Sequence, residues 1–167
     1  MTINYSSDND IIIPTQHNTT YRGLGGDDTY IITRAIGDEA KINIVDTEGT
    51  NIIQLTEGLS ILSSKFASTA FQIILSNNAE ITINSSHKNL YEIGGNVTNG
   101  LIVDQNSYED FIVYFGLNSL PSIKSIKGST NVIIEGGELI TNNKIFSWKI
   151  MNPESAGLDT SEVNDLM

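Results

Sequence analysis

Residues Gly23 to Ile31 read G-L-G-G-D-D-T-Y-I, glycines followed by adjacent carboxylates and a strand-like run. Glycine lets the backbone take positive φ and turn its carbonyls inward, and an aspartate at the end of the turn adds a hard anionic oxygen; together these are ligands suited to calcium. The same residues also make a plain tight turn, and a site built from such loops needs more than one of them. Asp46 and Glu48 in V-D-T-E-G-T-N read first as a polar turn between two strands and second as another calcium loop, and Asp104 in V-D-Q-N poses the same choice with less support. His17 and His87 have neither H-x-H nor H-E-x-x-H spacing, and no G-x-S-x-G elbow or P-loop occurs. With no cysteine, thiolate metal sites and thiol nucleophiles are excluded. A carboxylate pair for glycoside hydrolysis is disfavoured by the short chain and its 7% aromatic content, and Trp148 reads as a core or strand-edge residue.

The text around 23–31 matches the nonapeptide G-G-x-G-x-D-x-U-x of calcium-binding parallel β-rolls, in which U is a large apolar residue. Gly23, Gly26, Asp28 and Tyr30 fit, and Leu24 replaces the second glycine. The register extends backwards. Tyr30, Tyr21 and Ile12 recur at the U position with the period of the nonapeptide, and Asp28, Thr19 and Asp10 recur likewise at the aspartate position. The two earlier units lack the glycines, so the array is degenerate.

On these residues the segment resembles the RTX family of bacterial calcium-binding proteins. The resemblance implies that two nonapeptides form one coil of a parallel β-roll, so that loops one coil apart stack on one side with the ion between them. Carried over residue by residue, it implies ligands from Asp8 or Asn9 with Asp10 in one loop, and from Gly23, Gly25, Gly26 and Asp28 in the other. Residues from about 20 to 115 are also similar to β-rich segments near the C-termini of type I secreted proteins of marine bacteria and cyanobacteria. That similarity implies export through an uncleaved C-terminal region.

The elements that must position this loop are short β-branched runs separated by Gly, Asn and Ser clusters. Strands are predicted at 29–33, 41–45, 51–55, 70–75, 80–84, 101–103, 122–126, 131–135 and 144–150. K-I-N-I-V and E-I-T-I-N alternate as sheets with one wet face do, and S-N-N-A-E supplies a hairpin turn after Leu75. One short helix is expected over 107–116: Ser107 can cap it, Gly116 can end it, and Tyr108, Phe111, Ile112 and Phe115 form an apolar stripe suited to core packing. The predicted fold is all-β, a short N-terminal parallel β-roll-like segment continuing into a β-sandwich or β-solenoid. The expected division is a β-roll remnant over 1–40, a β-rich core over 41–151 and an acidic tail over 152–167.

A chain of 167 residues with 39% hydrophobic content supports one ordinary core. Its formal charge of −11 argues against nucleic acid and anionic membrane surfaces as partners, and suits divalent cations as well as a self-repelling, soluble surface. No basic and apolar leader of the Sec type precedes the strands, and no apolar run approaches membrane-spanning length. With these bounds, the resemblance implies a non-enzymatic, extracellular, calcium-binding (Ca2+) structural protein as the expected function. It would be a self-assembling surface-layer, filament or matrix subunit exported by type I secretion. The alternatives are a decoration or fibre-associated protein of a bacteriophage virion and a calcium-dependent adhesin module binding a surface glycan. Self-association is the expected partnership, with the N-terminal strand either pairing in its own chain or adding to a neighbour's sheet edge.

Overall fold

The computed structural model describes residues 1–95 and 105–135, and there the chain is all-β with one short helix. The strands come in chain order as β1 (Thr2–Asn4), β2 (Ile11–Ile12), β3 (Thr19–Arg22), β4 (Thr29–Ile32), β5 (Lys41–Ile44), β6 (Asn51–Leu55), β7 (Ser60–Phe66), β8 (Ala70–Leu75), β9 (Glu80–Asn84), β10 (Asn89–Ile93), β11 (Ile126–Lys127) and β12 (Val132–Ile133). From β1 to β6 successive strands alternate between two sheets. One runs β1-β3-β5-β9-β8-β7-β11 with β12 also on β7, and the other runs β10-β6-β4-β2.

All pairs from β1 to β6, and their continuation onto β9 and β10, are parallel, so the chain winds as a roll. In both sheets the first coil step sets residue i opposite i+18, with Thr2 on Thr20 and Ile11 on Thr29. This is the coil expected from the nonapeptide register, with Ile12 and Tyr30 in one sheet and Tyr21 in the other. The next step sets i opposite i+23, with Thr19 on Ile42 and Thr29 on Ile52. Neither sheet breaks at residue 40, because β3 pairs with β5 and β4 with β6 across it. In the third step the chain makes the antiparallel hairpin β7–β8 before resuming the coil with β9.

Inward residues alternate along each strand, as a half-buried pleat requires. Ile3, Tyr21, Ile44, Ile83, Phe71 and Phe66 stand opposite one another across the first sheet, facing Ile12, Tyr30, Ile53 and Tyr91 of the second. The far end is closed by rings. Helix α1 (Tyr108–Phe111) and the 3-10 turn Ile112–Phe115 bring Tyr108, Phe111 and Phe115 onto Phe66, Phe71 and Tyr91, with Tyr91 stacked on Phe111 at a centroid distance of 4.2 Å. The helix forms where expected: Ser107 Oγ accepts the Asp110 N–H at 3.1 Å, and Gly116 ends the turn at φ 85°. The expected hairpin turn also forms, with Leu75 N–H on Ala79 O at 2.8 Å and Asn78 at φ 67°.

Some expected strands differ. Of 122–126 only Ile126 is in a strand, since the segment follows Pro121 and leaves Ile123 92% exposed, without the burial that would hold it in a sheet. The strand expected over 131–135 shortens to Val132–Ile133. Strands β7 and β10 were not predicted, and β1 to β3 only as part of the expected β-roll segment; a register shift between Ile61 and Ser63 breaks the alternation that would have marked β7. The strands expected at 101–103 and 144–150, Asp104, Trp148 and the tail from 152 lie outside the described residues.

Candidate metal centre

Three turns stack along one side of the roll, residues 5–10, 23–28 and 46–51. Register makes them equivalent: Tyr5 N–H bonds Arg22 O, Val45 N–H bonds Tyr21 O, and Thr29 lies opposite Ile52. Each turn therefore holds six residues, and together they carry Asp8, Asp10, Asp27, Asp28, Asp46 and Glu48 with no lysine or arginine.

Two side-chain ladders run between these turns in opposite directions. Asp28 Oδ1 accepts the Asp10 N–H at 2.8 Å, and Asn51 Oδ1 accepts the Asp28 N–H at 2.8 Å. Beside them, Asn9 Oδ1 accepts the Asp27 N–H and Asp27 Oδ1 accepts the Thr50 N–H, both at 2.8 Å. These bonds satisfy turn N–H groups that the sheets leave over. Asn9 and Asp27 thus serve stacking, and Asp10 turns its Oδ2 to the Ser6 N–H at 3.0 Å and the Ser6 hydroxyl at 2.9 Å.

Asp28 differs from the others. It is 1% exposed, and its Oδ2 has no hydrogen-bond donor among the described residues. That oxygen points into the space over Gly23, where Asp46 Oδ2 and the Tyr30 hydroxyl also converge. A Cβ on Gly23 would overlap all three atoms. Tyr30, the U-position tyrosine, crosses the interior to reach this corner, donating to Asp46 Oδ2 at 2.7 Å and accepting the Gly23 N–H at 2.7 Å. Asp46 is 3% exposed, so the two carboxyls form a pair with no cationic side chain in the stacked turns.

Burial pushes the Asp28 carboxyl up to about 6, against the opposing pull of the Asp10 N–H. The charge of Asp46 adds to the rise, and a proton on Asp28 Oδ2 would give that oxygen a bond to the Asp46 carboxylate opposite it. Tyr30 is raised as well, by burial first and by its bond to Asp46. Ionising Asp28 in this place is therefore costly unless a cation offsets its charge.

Of the residues singled out in the sequence, Gly23 and Asp28 line this space. Asp8 and Asn9 are exposed on the first turn, Asp10 is half-buried, and Gly25 and Gly26 are half-buried in the second turn. Gly26, at φ 92°, packs where a Cβ would meet Asp8 O, and Gly49, at φ 77°, packs in the same way beneath Gly26 O. The close stacking of the turns therefore needs these glycines. Asp46 was read first as part of an ordinary turn; the second coil step sets Asn51, not Asp46, at the place equivalent to Asp28, so the repeat period does not point to it. Among the described residues no three carboxylate, imidazole or thiolate side chains gather as a metal cluster. The oxygens that converge at this corner are those of two carboxylates and a tyrosine hydroxyl. No family model, no curated protein and no solved structure matches this chain.

Proposed function

We propose that the protein is a non-enzymatic calcium-binding structural module of RTX type, acting outside the cell as a self-associating surface-layer, filament or matrix subunit exported by the type I route. The observation that carries this reading is the buried Asp28–Asp46 pair with its orphaned Asp28 Oδ2. The donor set is all hard oxygen, which suits calcium. Magnesium keeps several waters and demands stricter geometry, and so suits a closed corner less well. Asp28, Asp46 and the turn carbonyls at 23–26 would hold the ion. Bound there, calcium supplies positive charge that joins the second and third turns. Both carboxylates are closed over, which favours a structural role over catalysis on a substrate.

A thermal-melting titration tests this. Calcium at ten times its Kd should raise the melting temperature by about 3–6 °C, while magnesium should do less. The rise should vanish in Asp28→Asn and Asp46→Asn and persist in Asp8→Asn. A melting temperature indifferent to calcium, or a rise that survives both buried substitutions, would overturn the reading.

A further inference from the structure

The two ends of the roll are finished differently. At the far end β7 carries β11 and β12, and β10 meets Asn106 and α1. At the near end β1 and β2 are the edge strands of the two sheets. Strand β1, Thr-Ile-Asn, is a short edge, and it carries neither proline, lysine nor bulge to block pairing. Met1 O accepts the Thr20 N–H and Tyr5 N–H bonds Arg22 O, so by alternation the N–H and C=O groups of Thr2 and Asn4 point away from β3.

A further parallel coil would bring a turn N–H to the Asp10 carboxylate, as Asp10 itself does to Asp28. One oxygen of that carboxylate, Oδ2, is already engaged by the Ser6 N–H and hydroxyl within its own turn. Among the described residues nothing pairs with the outer edges of β1 and β2. An antiparallel strand can use such an edge without needing the ladder.

We propose that this edge pairs with the same edge of a second copy of the chain, β1 on β1 and β2 on β2, about a two-fold axis perpendicular to the sheets. The inference rests on the self-association part of the reading above, of which it supplies only the pairing of two copies, and does not depend on calcium. Charge selects the axis. A two-fold axis along the strands would stack turn 5–10, with Asp8 and Asp10, on its own copy, placing like charges together. The perpendicular axis sets that turn against the partner's turn 13–18, I-P-T-Q-H-N, which carries no carboxylate. In this pairing Thr2 forms a hydrogen-bonded pair with the other copy's Asn4, and Ile3 lies on the axis. The interface is isologous and uses up the open edge, so it closes as a dimer and does not propagate.

The chain has no cysteine, which makes cross-linking clean. Hydrogen-bonded antiparallel pairs have Cα atoms about 5.5 Å apart, within the range of about 4.4–6.8 Å that a disulfide spans. The double variant Thr2→Cys/Asn4→Cys should form a covalent dimer under mild oxidation, several-fold more than either single variant. Light scattering on the unmodified chain should show a concentration-dependent rise from 18.2 kDa toward twice that mass, in chelator and in calcium alike. A monomer at every concentration would overturn the proposal. So would single variants that cross-link as well as the double, or products that climb beyond the dimer. Circular dichroism checks the variants' fold, and the unmodified chain decides the matter if they fail it. A dimer whose melting temperature ignores calcium would sink the calcium reading and leave this one standing.

Discussion

The two sides of the roll treat chain length in opposite ways. On the acidic side the turns 5–10, 23–28 and 46–51 each hold six residues. On the other side the first passage runs from Ile11 to Thr19 and the second, longer one from Thr29 to Ile42. The whole growth of the coil, from a step of i+18 to one of i+23, therefore falls between β4 and β5. The next passage on that side takes in the hairpin β7–β8. A turn whose N–H groups are satisfied by the turn above cannot gain a residue without misaligning both ladders. The passage on the other side is held by bonds within itself, as where Ala40 N–H bonds Gly37 O, and among the described residues by Asn77 alone from the next passage, so it can grow at little cost.

The sharpest way to break this contrast is a methyl group on each side. Gly23→Ala places a Cβ among Asp28, Asp46 and Tyr30 and should cost ~3 kcal/mol, the upper end of overpacking effects. Gly37→Ala, on the other side, meets nothing within 4 Å and should stay within ~0.5 kcal/mol. Urea denaturation of the pair measures both; equal losses would mean that the acidic corner is not the tightly packed side.

A smaller effect separates the sides by titration. The Asp28 carboxyl holds its proton up to about pH 6 when folded, against about 3.9 in an unfolded chain. Its contribution to stability is therefore full below the unfolded value and is lost as pH rises through about 6. In chelator the fold should lose on the order of 2 kcal/mol between pH 4 and pH 7 from this group. Calcium should restore that loss at neutral pH, and Asp28→Asn should flatten the slope. A profile unchanged by that substitution would remove Asp28 as its source.

The smallest effect concerns Leu24, which sits at φ 73° where the nonapeptide has glycine. Leu24→Gly should stabilise by about 0.5–1 kcal/mol, since relief of left-handed strain outweighs the added freedom of the unfolded chain. Leu24 is already 37% exposed, so little burial is lost. A destabilised variant would mean that Leu24 packing carries more than its backbone strain.

These contrasts also explain what could be read from the residues alone. The first coil was legible because Ile12, Tyr21 and Tyr30, with Asp10 and Asp28, keep one spacing through turns that do not vary. The hairpin at Leu75 and the Ser107 cap were legible because their chemistry is local. The second coil step was hidden, since the extra residues on the tolerant side displace Asn51 from the position that a fixed period assigns it. Asp46 was hidden for a related reason. It faces Asp28 through the space left by Gly23, a convergence of strands and turns that linear spacing does not show. The bonds that Asn9 Oδ1 and Asp10 Oδ2 make to turn amides were hidden likewise, since one crosses between coils and the other depends on how the turn folds.

Ser6 is a small residue with a large consequence for the first turn. Its N–H and hydroxyl both close on Asp10 Oδ2, so this aspartate is fastened to its own turn much as a capping side chain fastens the end of a helix. Asp10 and Asp28 share a place in the repeat, yet one is latched to a surface hydroxyl and the other is sealed in beside a second carboxyl. The repeat fixes where an aspartate stands, and its neighbours decide what it does.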